Sequence, residues 1–161
     1  MCIRDSNVTI PYKQEVLKYL HKLDEEAVKI GAINTIRIQN GELEGSNTDV
    51  YGFENSLVPF LSTEKENVQA MVLGTGGAAQ AIHYVLDKLN INYVSISRNP
   101  EKGITYDKLD KEMMMDHRLI INCTPLGTHP NVDQAPPIPF QHICEQHFLY
   151  DLVYNLSLIH I

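Results

Sequence analysis

Six consecutive residues, Gly74-Thr75-Gly76-Gly77-Ala78-Ala79, carry the densest chemical signal in the chain. They follow a short apolar run, Val68 to Leu73, and open a segment with apolar residues at helical spacing. A phosphate-binding turn needs that context. Gly74 allows the tight turn, Gly76 lets the backbone approach a pyrophosphate, and small Ala79 permits close helix–strand packing. The helix-terminal amides then face the phosphates. Roughly twenty residues beyond such a turn, NAD sites carry an Asp or Glu for the ribose hydroxyls. Here the chain reads Ser97-Arg98-Asn99, with Lys102 nearby. A guanidinium suits a 2′-phosphate through charge-assisted contact, so NADP is the expected cofactor.

Lys13 and Asp49 are the other reactive pair of types, although their spacing says little. A lysine early in a helix is ordinarily solvated, and an aspartate in a first turn ordinarily complements the dipole. Composition narrows the alternatives. With 43% hydrophobic and 20% charged residues the chain reads as globular. A net charge of −7 argues against a nucleic-acid surface. Cys2, Cys123 and Cys144 are too far apart for a zinc knuckle or a disulfide framework, and the histidines form no H-x-x-x-H pair, so no metal site is expected. No apolar run is long enough to span a bilayer, and no signal peptide opens the chain, which leaves the cytoplasm as the expected location.

The elements that must position these residues follow from periodicity. Asn7 to Ile10 reads as a short strand. Val16, Leu17, Leu20 and Leu23 fall on one helical face after Pro11. Asp24 caps a second helix, Glu25 to Ile30, stopped at Gly31. Ile33 to Gln39 and Glu42 to Gly45 form a hairpin about Asn40-Gly41, the favoured pair for a type I′ turn. Asn47 or Thr48 caps a helix running to about Leu61. From Val68 onward strands and helices alternate: a helix from Ala78 to Leu89, a strand from Asn92 to Ser97, a short helix from Asp107 to Met115, then strands at Leu119 to Asn122 and Phe148 to Val153. That alternation implies a parallel sheet, with the proline-rich loop Pro125 to Pro139 where ligands commonly sit.

Three blocks lift Lys13 and Asp49 above the ordinary. They are Asn7-Val8-Thr9-Ile10-Pro11-Tyr12-Lys13, Gly31-Ala32-Ile33-Asn34-Thr35, and Gly45-Ser46-Asn47-Thr48-Asp49-Val50-Tyr51-Gly52. With the glycine turn, Asn122-Cys123-Thr124-Pro125-Leu126-Gly127 and Tyr150-Asp151-Leu152-Val153-Tyr154, their order and spacing resemble the shikimate dehydrogenase family from about Asn7 to Asn155. The resemblance implies an α/β fold: a Rossmann-like parallel sheet domain for NADP, with part of a smaller α/β substrate-binding domain. It implies that Lys13 is the acid–base lysine and Asp49 its partner. Asn7, Thr9, Asn34, Asp49 and Tyr154 match substrate-binding positions. Gly74, Gly76, Gly77, Ala78, Arg98, Lys102 and Thr124 match the cofactor site.

The implied reaction is reduction of 3-dehydroshikimate to shikimate with NADPH, in a monomer or homodimer that engages neither nucleic acid nor membrane. Lys13 as an ammonium hydrogen-bonds the carbonyl oxygen and gives up a proton. Asn34 has both a donor and an acceptor to offer substrate hydroxyls. A quinate/shikimate dehydrogenase using NAD, and a non-catalytic NADP-binding fragment, are the alternatives. In the family, a stretch with paired serines precedes the first block, and a helix bearing a glutamine follows the last. Residues 1–48 are therefore expected to be an incomplete substrate domain and 49–155 the nucleotide domain. Residues 1–6 and 156–161 fit no family position and are expected to be non-native, with little or no turnover from this chain alone.

Overall fold

The chain forms two four-stranded sheets. The computed structural model describes residues 4–61, 68–130 and 132–153. The first sheet is mixed, in the order β1 (Asp5–Asn7), β3 (Thr35–Gln39), β4 (Glu42–Ser46), β2 (Lys22–Leu23). β3 pairs antiparallel with β1 and with β4, whereas β2 runs parallel to β4. The hairpin closes as its residues require: Asn40 and Gly41 both have positive φ, 52° and 82°. Asp5 and Ser6 pair with Arg37 and Ile36 in β1, so two of the residues set apart from the family pattern stand inside this sheet.

The apolar run ending at Leu23 is not one helix. A 3₁₀ turn spans Glu15–Tyr19, and the backbone is extended at Leu20, with ψ 145°. The His21 amide then donates to the Leu43 carbonyl at 2.9 Å, and Lys22 and Leu23 pair with Glu44 and Gly45. Leu20 and Leu23 fill the space where a Cβ at Gly45 would stand. Their three-residue spacing serves that packing as well as it would a helical face, and strand pairing outweighs the weak local preference. α1 (Glu25–Ile30) forms as expected, with the Asp24 carboxylate accepting from the Ala27 amide at 2.6 Å.

The second sheet is wholly parallel, in the order β6 (Tyr93–Ile96), β5 (Ala70–Leu73), β7 (Leu119–Asn122), β8 (Phe148–Asp151). β5 and β7 are buried on both faces, which is why they read as unbroken apolar runs. Ala70, Val72, Leu119 and Ile121 turn toward α2 (Asp49–Leu61) and α3 (Gly77–Lys88), packing with Phe53, Leu57, Ile82 and Leu86. Met71, Leu73 and Ile120 turn the other way, against Leu109 and Met114. Met114 lies on α4 (Lys111–Asp116), which Asp110 caps. The expected Asp107–Met115 helix is thus a 3₁₀ turn, Tyr106–Lys108, followed by α4.

α2 joins the two halves of the chain, because Ile30 and Ala32 from the first half enter the same core as its buried face. Leu57 is 0% exposed there. Leu57→Ala is expected to lower unfolding free energy by about 2–5 kcal/mol, read by urea denaturation. A cost below about 1 kcal/mol would show that α2 is not docked on the sheet as described.

Candidate active site

Lys13 and Asp49, 36 positions apart in sequence, form an ion pair: Lys13 Nζ donates to Asp49 Oδ2 at 2.6 Å. Each arrives by local geometry. The Ile33 amide donates to the Lys13 carbonyl at 2.8 Å, tying the lysine's backbone to the segment before β3. Asp49 is the first residue of α2. Asn47, 5% exposed, donates its amide to the Ala32 carbonyl at 2.9 Å and accepts from the Asp49 amide at 3.0 Å. Of the two candidate caps, Asn47 therefore holds this helix start.

Asn34 completes the cluster. Its Nδ2 donates to Asp49 Oδ1 at 2.8 Å and to Thr48 Oγ1 at 2.9 Å. Its Oδ1 accepts from the Thr48 amide at 3.0 Å and from the Thr35 hydroxyl at 3.0 Å. Both amide hydrogens are thus engaged on protein, and Asn34 orients Asp49; a substrate contact through Nδ2 requires exchanging one of these bonds.

The pair opens onto a cleft of about 440 Å³ between the two sheets, in the usual size range for a small-molecule site. Thr9, Lys13 and Asp49 line one side, and Ala78, Thr124 and Tyr150 the other. Asn7 instead stands in β1 opposite Thr35, exposed and outside that lining. Tyr154 lies outside the described residues.

The glycine turn links β5 to α3. Gly74 has φ 103°, and a Cβ there would lie 3.3 Å from Thr124 Cγ2. A side chain at Gly76 would meet nothing within 4 Å, so that face of the backbone is open to a ligand. No side chain caps α3, which leaves its first amides available to an anion. The residues present therefore fit a dinucleotide's phosphates. Beyond β6, Ser97 is buried and accepts from the Asn99 amide at 3.1 Å. Arg98 and Lys102 on the same loop are exposed, and neither side chain has an ion pair or hydrogen bond among the described residues.

Thr124 presents its methyl rather than its hydroxyl to the turn. Its Oγ1 donates to Asn122 Oδ1 at 2.7 Å and lies 3.3 Å from the Leu126 amide that donates to it. Asn122 in turn donates to Asp151 Oδ1 at 3.0 Å. Burial pushes the Asp151 carboxyl up, against the opposing pull of the Val153 amide and Asn122, and its Oδ2 is buried without a partner among the described residues. Burial likewise pushes the Cys123 thiol up, so the thiol in the cleft wall is held neutral. The Asn122–Asp151 bridge escapes sequence reasoning because only the register of β7 against β8 places the two side by side.

The chain is similar to known proteins over nearly its whole length. A family model described as the shikimate dehydrogenase substrate binding domain matches residues 3–36. An NADP(+) shikimate dehydrogenase of Clostridium botulinum is 39% identical over 162 residues, covering 95% of this chain and 62% of the relative. One from Methanosphaera stadtmanae is 36% identical, covering 95% of this chain and 60% of the relative. Among solved structures, a chorismate mutase/shikimate 5-dehydrogenase fusion protein from Clostridium acetobutylicum superposes with a TM-score of 0.75 at 35% identity, covering 94% of this chain and 57% of that one. A Thermus thermophilus shikimate 5-dehydrogenase in complex with NADP(H) and shikimate gives 0.76 at 29% identity, covering 96% and 60%. The chain thus spans about three-fifths of the length of the relatives it matches. With its mixed sheet, its parallel sheet and the residues joining them all matched, the chain belongs to the shikimate dehydrogenase family.

Proposed function

We propose that this chain carries the acid–base and cofactor sites for NADPH-dependent reduction of 3-dehydroshikimate to shikimate. The observation behind this reading is the Lys13–Asp49 pair at 2.6 Å, set in a cleft that is also lined by Ala78 and Ile82 from the start of α3. Reducing a ketone requires a hydride at carbon and a proton at oxygen, and NADPH when bound supplies the hydride. The Lys13 ammonium hydrogen-bonds the ketone oxygen and transfers a proton to it as negative charge develops. Asp49 fixes the direction of that ammonium, and Asn34 fixes Asp49. In the oxidation direction neutral Lys13 accepts the hydroxyl proton. Thr9 lines the cleft and is assigned to substrate by the family pattern. Asn7 and Tyr154 are assigned to substrate by the family pattern alone.

For the cofactor, Gly74, Gly76, Gly77 and Ala78 shape the pyrophosphate turn, Thr124 forms its neighbouring wall, and Arg98 with Lys102 meets the 2′-phosphate. A chain that binds NADP without turnover is the second reading, and the observation behind it is the span of 62% of the relative's length. Two measurements separate them: titration with NADPH by cofactor fluorescence, and NADP reduction driven by shikimate. NADPH binding is expected under both readings; shikimate-dependent turnover selects the first, and binding alone selects the second. Turnover with quinate and NAD in preference to shikimate and NADP would overturn the assignment.

A further inference from the structure

The three glycines of the turn are glycine for three different reasons. Gly74 needs its positive φ, and Gly76 leaves an open face. At Gly77 the constraint is another residue: a Cβ would stand 2.9 Å from Lys13 Cβ, 3.5 Å from its Cδ and 3.7 Å from its Cγ. Carbon atoms pack best at about 3.5–4.0 Å, so the first of these contacts is not tolerated. The atom in the way is the lysine's Cβ, which no rotamer change can move. The Lys13 backbone cannot retreat cheaply either, because its carbonyl accepts from Ile33. The stem of Lys13 therefore lies along the first residue of α3, and only 13% of that side chain is exposed.

We infer that Gly77 is a positioning residue for Lys13: its bare Cα is the surface on which the lysine stem rests. The same turn that receives the pyrophosphate then also fixes where the Lys13 ammonium stands relative to Asp49. Acid–base group and cofactor are thereby held in one frame without touching through any polar contact. The consequence for turnover rests on the function proposed above, whereas the contact itself does not.

Gly77→Ala tests both levels. In the parent chain it is expected to lower stability to urea. The same change is expected to remain costly in a Lys13→Ala background, which keeps the Cβ, and to become nearly free in a Lys13→Gly background, which lacks it. NADPH affinity is expected to fall less than kcat on Gly77→Ala, because the new methyl points at Lys13 and not at the open face of Gly76. Shikimate-dependent kcat is expected to fall by about 100-fold, the scale of a misplaced catalytic group. Equal stability penalties in all three backgrounds would overturn the inference. So would lost NADPH affinity with kcat intact at saturating cofactor, since Gly77 would then serve the phosphates alone. If the parent chain shows no turnover, the proposed function fails at that point, and the stability series still decides the contact.

Discussion

In a chain extended to the full length of its relatives, Lys13→Ala is expected to lower shikimate-dependent kcat by about 10²–10⁴-fold, the usual contribution of a positioned general acid–base group, while leaving NADPH binding intact. The fold is expected to survive. Asp49 loses its cation but its side chain is 35% exposed, so water takes the ammonium's place, and Asn34 still donates to its other oxygen. An ion pair open to solvent on one side contributes only about 0–1 kcal/mol. Asp49→Asn is expected to lower kcat less, since the ammonium remains present but is no longer directed by a carboxylate. Steady-state rates at saturating NADP, with circular dichroism as the check on folding, distinguish these outcomes. Wild-type turnover in a folded Lys13→Ala chain would remove the lysine from the chemistry.

Much of this site was legible in the sequence, and the part that was not has a common physical cause. Elements fixed by contacts close in sequence were read well: Asp24 capping α1 and the Asn40-Gly41 hairpin. Contacts distant in sequence were not. Leu20 and Leu23 looked helical because a three-residue spacing describes both a helical face and two side chains packed on Gly45. Asn34 is assigned to substrate by the family pattern, and its donor and acceptor suit hydroxyls. Whether a neighbour consumes them depends on Thr48 and Asp49, which only the fold brings within reach. Gly77 carried the same limit. A glycine in a G-x-G-G turn already has an explanation, so nothing in the text signals that it also makes room for a lysine 64 positions earlier.

Arg98→Ala is expected to weaken NADP binding by roughly ten- to a hundredfold while leaving NAD binding unchanged. The loss corresponds to about 1.5–3 kcal/mol, the range for a hydrogen bond to a charged group. Buried Ser97 anchors the start of the Arg98 loop by accepting from the Asn99 amide, and Ser97 Oγ lies 3.4 Å from Thr75 Oγ1 of the glycine turn. The backbone of Arg98 is thereby fixed relative to the glycine turn, although its side chain is exposed. Burial raises the Tyr106 phenol, and the Arg98 charge nearby opposes that rise. Lys102→Ala is expected to cost less, because an ammonium offers a point charge where a guanidinium offers a fork. Exposure also predicts a salt effect. The preference for NADP over NAD should shrink as ionic strength rises, since the Debye length falls from about 10 Å at 0.1 M to about 3 Å at 1 M. Fluorescence titrations of both cofactors at two salt concentrations measure all of this. Equal losses for NAD and NADP on Arg98→Ala would mean that the residue supports the loop. No loss for either would place the 2′-phosphate elsewhere and reopen the choice of cofactor.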